Sequence, residues 1–91
     1  MNDEITFEIK RHLGVISTYP TGWTKEVNLV SWNGGVPKID VRDWDPEHSA
    51  MSRGITLHEK EAAKLIDAVQ KNMPDIMKHL EKNKDSRGFE R

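Results

Sequence analysis

Apolar and polar residues alternate along the first two-thirds of the chain and recur at three- and four-residue steps along the last third. Ile5, Phe7 and Ile9 alternate with Thr6, Glu8 and Lys10, the period of a half-buried strand. Leu13, Val15 and Ile16 prolong that segment, and Gly14 marks a bulge or bend in it. Tyr19-Pro20-Thr21-Gly22 reads as a turn, with proline at its second position and glycine at its fourth. Residues 24–32 (TKEVNLVSW) form a second strand, rich in β-branched and aromatic residues. Asn33-Gly34-Gly35 then supplies the positive φ angles that a tight hairpin needs. Residues 36–44 (VPKIDVRDW) return as a third strand, stopped at Asp45-Pro46, and RGITL at 53–57 is a fourth. From there Ala62, Leu65, Ile66, Val69, Met73, Ile76, Met77 and Leu80 trace one apolar stripe of a helix. His58 or Thr56 caps its start, Glu59 and Glu61 suit its first turn, and Pro74 is expected to kink or restart it. The fold class is therefore α+β, a four-stranded antiparallel sheet followed by one C-terminal amphipathic helix, in a single domain over 1–82. Residues 83–91 have little to bury and are expected to be a disordered tail.

Size adds a second expectation. A 91-residue chain buries only about 60–65% of its unfolded surface, which leaves its own core marginal. The stripe from Ala62 to Leu80 is roughly 27 Å long at 1.5 Å per residue. Four strands side by side span only about 15–19 Å. The surplus needs another surface, and a two-fold dimer joined through the helix is the simplest source. Leu65, Ile66, Val69 and Met73 are its expected contacts.

There is no cysteine, so no disulfide and no thiolate metal site. His12, His48, His58 and His79 lack zinc-site spacing, and neither a metal nor another cofactor is expected. No run approaches the ~20 apolar residues of a membrane span, and the first residues lack a signal-peptide core, so a cytoplasmic location is expected. Net charge is −1, with six Lys/Arg against eight Asp/Glu in 1–57 and eight against seven in 58–91. Any cationic surface must come from the way the fold places charges.

Side chains alternate across a strand, which divides each strand between two faces. Val27, Leu29, Ile39 and Val41 belong to one face and are expected in the core. Glu26, Asn28, Val30 and Trp32, with Lys38, Asp40, Arg42 and Trp44, belong to the other, which no helix is left to cover. Aromatics set between cations suit single-stranded nucleic acid, because unpaired bases stack on rings while Lys and Arg track phosphates. The expected contacts are Trp32, Arg42, Trp44, Lys38, Asn28 and Val30, with Lys25 counted among the cations; the alternative reading of the same spacing makes Trp32 and Trp44 core or dimer-contact residues. Trp23, beside a turn, is expected to be structural.

The ordered set KEVNLVSWNGG, VPKIDVRDW, RGITL and an amphipathic helix resembles the DNA-binding domain of the transcriptional coactivator positive cofactor four. It is most similar to that family's short bacterial members, over roughly residues 5–70. The resemblance implies a β-β-β-β-α subunit, dimerised through its helices, whose curved sheets bind single-stranded DNA. It places the family's ligand-facing aromatic on Trp32, its arginine on Arg42 and a following aromatic on or next to Trp44. Val30 stands where eukaryotic members carry a basic residue, and Asn33 and Gly35 where they carry lysines. Binding is thus expected to lean on stacking more than on charge. No Ser- and Lys-rich tail precedes the first strand, so tail-controlled coactivation is not expected.

Catalysis is not expected. Asp40 and Asp43 fall on opposite faces of their strand, so they do not converge as a nuclease pair would. Asn33-Gly34-Gly35 lacks the GK[ST] of a phosphate loop. The expected function is binding of single-stranded DNA or RNA with little sequence specificity, in transcription, replication or repair. The rival reading is a homodimeric protein-interaction module that uses the helix stripe and binds no nucleic acid.

Overall fold

Two tight turns and one six-residue loop fold four strands into a single antiparallel meander, and a long helix leaves its last strand. The computed structural model describes residues 5–82. The elements are β1 (Phe7–Thr18), β2 (Thr24–Trp32), β3 (Lys38–Trp44), β4 (Met51–Leu57) and α1 (Glu59–Lys82). The strands lie in the order β1-β2-β3-β4, so β1 and β4 are the sheet edges. The expected disordered tail, 83–91, lies outside the described residues.

Local chemistry explains each boundary. Gly22 donates to the Tyr19 carbonyl at 2.9 Å and takes φ 95°, which closes the first turn. Asn33 and Gly34 adopt φ 51° and 75° while Gly35 N–H donates to Trp32 O at 2.8 Å. Two successive positive φ angles give the turn whose twist matches its flanking strands. At the start of α1, His58 N–H donates to Glu61 Oε1 at 3.0 Å and Glu61 N–H donates to His58 Nδ1 at 3.3 Å. This is a reciprocal cap with histidine in the usual Ser/Thr place. The helix does not restart at Pro74 but runs from Glu59 to Lys82. Two residues before the proline, Asn72 Nδ2 donates to the Ala68 carbonyl at 2.7 Å.

Curvature comes from β1. Its pairing with β2 slips between Ile9 and Arg11, between His12 and Gly14, and between Val15 and Ser17. Lys10, Leu13 and Ile16 are the extra residues, and each such bulge bends its strand and deepens the local twist. The bend of the sheet is evident in its aromatics. Phe7 pairs with Trp32 at one end of β2 and Trp44 with Thr24 at the other. Even so, the Phe7 and Trp44 rings lie 5.2 Å apart between centroids. Only a sheet that curls across this face brings them together.

The curl reverses the expected core. Val27, Leu29, Ile39 and Val41 are only half-buried in the single chain, whereas Val30, Trp44, Asn28 and Asp40 have no exposed surface. The parity of the strands is as expected; the cover is not. The sheet closes over its aromatic and polar face, while α1 meets only β3 and β4 and buries little beyond Ala62. Leu65, Ile66, Val69, Met73, Ile76, Met77 and Leu80 all stay exposed.

Candidate nucleic-acid interface

The concave face is built around two buried carboxylates, each already supplied with donors. Asp40, on β3, accepts from Arg42 Nε at 2.6 Å and from Arg42 Nη2 at 2.8 Å, a bidentate pair. Thr56 Oγ1, on β4, adds 2.8 Å. Arg42 also donates to the Ser52 carbonyl at 3.1 Å, and its guanidinium carbon lies 4.8 Å from the Trp32 ring centroid. Gly54, opposite Arg42, makes room for this side chain: a Cβ there would collide with Arg42 Cβ and with the Val41 carbonyl.

Glu26, on β2, anchors the second cluster. Thr24 Oγ1 donates to it at 2.5 Å, Asn28 Nδ2 at 3.2 Å and His48 Nε2 at 2.9 and 3.0 Å, and His12 Nδ1 stands 3.5 Å away. Burial alone would raise this carboxyl's pKa. The hydrogen bonds from Thr24, His48 and Asn28, with the nearby His48 charge, outweigh burial and hold it below its ordinary value. His48 reaches Glu26 from the 45–50 loop in a left-handed conformation, φ 59°. Its ring also rests 5.5 Å from that of Trp44. Asp45 ties the same loop by accepting from Ala50 N–H at 2.7 Å and Ser49 N–H at 2.8 Å, and these donors lower its pKa, that of Ala50 most.

What remains open lies at the rim. A pocket of ≈ 390 Å³ is lined by Ile5, Trp32, Asn33, Lys38, Arg42 and Thr56. Lys38 is exposed, and no acidic partner holds it among the described residues. Trp32 is half-buried, flanked by Arg42 and, at 5.9 Å, by the Phe7 ring. The structure therefore brings together Trp32, Lys38 and Arg42 of the expected contacts. It does not present the others on this surface. Trp44, expected as an exposed platform, is fully buried under Phe7 and His48, and Asn28 and Val30 lie beneath the same curl. Lys25 falls on the opposite face, since it pairs with Asp43, which shares Val41's side of β3. Arg42 is a neutralised, mostly buried cation rather than a free one. Trp23 is half-buried beside its turn. Phe7, Thr56, Glu26 and His48 were not anticipated; only the alternation that put Phe7 inward and Glu26 beside Asn28 hinted at them.

Similarity to known proteins follows the same segment. Residues 19–68, more than half of the chain, match the family described as Transcriptional Coactivator p15 (PC4). The chain belongs to this family. A Treponema pallidum (strain Nichols) protein, described only as uncharacterized, is 40% identical over 67 residues, covering 74% of this chain and 79% of its own length. The PC4 match spans β2, β3, β4 and the first turns of α1. It thus includes every lining residue of the rim pocket except Ile5. β1 and the second half of α1 lie outside it.

Proposed function

We propose that the protein binds single-stranded DNA or RNA with little sequence specificity, as a homodimer and without catalysing a reaction. One observation carries the reading: the rim pocket sets a half-buried indole beside a lysine that has no acidic partner among the described residues, inside the segment that matches the PC4 family. That family is known for binding single-stranded DNA. A pocket of this size falls at the low end of small-ligand sites, about 300–1,000 Å³, and suits one nucleotide unit. An unpaired base would rest on the part of Trp32 that Arg42 and Phe7 leave free, and Lys38 would meet a phosphate. Stacking of this kind contributes about 1–3 kcal/mol per base and tolerates any base. A duplex keeps its base faces inside, so it gains only the phosphate contact. No catalytic role is assigned, since Asp40 and Glu26 are already engaged by Arg42, Thr56, His48 and Thr24. The setting we infer is the cytoplasm, at the nucleoid where DNA is the ligand, in transcription, replication or repair.

The helix supports the dimer. Ala62, Ile66, Val69, Met73, Ile76 and Leu80 follow steps of four, three, four, three and four, the repeat of a coiled-coil seam. Flanking positions hold Ala63, Leu65, Gln70, Asn72, Met77 and His79, with no Asp, Glu, Lys or Arg among them to oppose a second copy. The interaction-module reading draws on the same stripe. Titration of the full chain with single-stranded DNA, single-stranded RNA and duplex DNA separates the two. Saturable binding of single strands, weakened by Lys38→Gln, supports our reading; a dimer that binds none of the three leaves only the interaction module.

A further inference from the structure

Arg42 walls two depressions that open on opposite faces of the sheet. One is the rim pocket, whose Trp32, Lys38, Arg42 and Thr56 share the concave face by register. The other, ≈ 430 Å³, takes in Lys25, Val41, Asp43, Ser52, Arg53 and Ile55, which belong to the other side. Between them runs β4, an edge strand with no neighbour beyond it. At its middle stands Gly54, paired with Arg42, the residue common to both depressions.

Charge follows the same path. Lys38 serves the first depression and Arg53 the second, and neither has an acidic partner among the described residues. Lys25 is only loosely held, its Nζ 3.9 Å from Asp43 Oδ1, and Asp43 is shared with the Tyr19 hydroxyl at 3.3 Å. The second depression also lies at the end of β4 away from Leu57, where the chain enters α1.

We propose that a bound single strand does not end at the rim pocket but crosses the β4 edge at Gly54, and that Arg53, with Lys25, forms a second phosphate-binding site on the opposite face. This rests on the nucleic-acid reading above and adds to it a path and a second set of contacts. A ligand confined to the concave face would touch Lys38 alone among the unpaired cations. A ligand that turns the edge gains Arg53 only when it is long enough to reach it. Length dependence is thus the signature.

The test is fluorescence anisotropy on the full chain with labelled oligothymidylates of about 6 and about 20 nucleotides, chosen against the ~4–16 nucleotides that one OB fold, another single-strand-binding sheet, occupies. Arg53→Gln should weaken the long oligonucleotide about 3–10-fold and leave the short one within about 2-fold. It should also lower the slope of log affinity against log salt by about 0.7 per site for the long one only. Lys38→Gln should weaken both lengths. Arg53 is exposed, so an unchanged thermal melt confirms that the variant is folded. Wild-type affinity of Arg53→Gln for the long oligonucleotide overturns the edge crossing, and so does equal weakening of both lengths. In either case, a Lys38→Gln defect leaves the rim-pocket reading standing. Failure of the unmodified protein to bind either oligonucleotide overturns both.

Discussion

Arg42 illustrates how a residue placed on a ligand face can be there for the fold. Its charge is spent on Asp40, which has no exposed surface, and its plane covers part of Trp32. Arg42→Ala leaves a buried carboxylate without its partner, a loss of about 3–5 kcal/mol. Chemical denaturation at fixed protein concentration should show it; an unchanged unfolding midpoint would mean that the pair is dispensable. Trp44 follows the same logic. Its ring is fully buried, and its indole N–H has no acceptor among the described residues. Trp44→Ala should cost about 3–5 kcal/mol for the cavity. Trp44→Phe keeps most of the apolar ring, removes the orphan donor and should cost less than about 1.5 kcal/mol. Equal costs for the two would argue against a packing role. Glu26 adds a pH dependence. Its folded pKa lies below its ordinary value of 4.5, so the unfolded chain takes up the proton first. The stability it contributes is present above about pH 4.5 and is lost as pH falls through the depressed folded value. Glu26→Gln should flatten that part of the acid limb in melts recorded from pH 6 downwards, and an unchanged limb would exclude Glu26 as its source.

At the scale of elements, the helix is the part most at odds with a lone chain. Seven large apolar residues from Leu65 to Leu80 stay exposed on it. Because they are exposed in the single chain, Ile66→Glu or Val69→Glu should convert a dimer into a folded monomer rather than unfold the sheet. Sedimentation together with circular dichroism checks this: a dimer that survives both changes would place the contact elsewhere. The strands and the helix were legible because local signals agreed with the fold. Alternation placed β1, Asn33-Gly34 placed the hairpin, and β2 spans residues 24–32 as read. The bulges at Lys10, Leu13 and Ile16 were not legible, since only Gly14 advertised them and register depends on the partner strand. The error in the core followed from that omission. Parity assigns a side chain to a face, but which face is enclosed depends on curvature and on cover from β1 and the 45–50 loop. Both are long-range properties. Trp32 and Lys38 therefore came through as rim residues, while Trp44, Asn28 and Val30 went under.

The whole molecule carries almost no net charge, −1 over 91 residues, and among the described residues Lys38 is the one cation of the rim pocket without an acidic partner. Counterion release should accordingly be modest. A slope of log affinity against log salt of about −2 to −4 per dimer is expected at ~0.7 per neutralised phosphate on a single strand. A slope steeper than about −6 would mean that cations outside the rim and the β4 edge dominate. Stacking then has to supply most of the selectivity, and the indole at the rim has to supply the stacking. The most direct measurement is a competition titration of the full chain, in which labelled single-stranded DNA is displaced by unlabelled single-stranded or duplex DNA of the same sequence. The single strand should compete at least about 10-fold better than the duplex. Trp32→Ala should remove about 1–3 kcal/mol of single-strand affinity and so close most of that gap. Equal competition by the duplex, or a Trp32→Ala protein that still discriminates as the unmodified chain does, would contradict stacking at the rim.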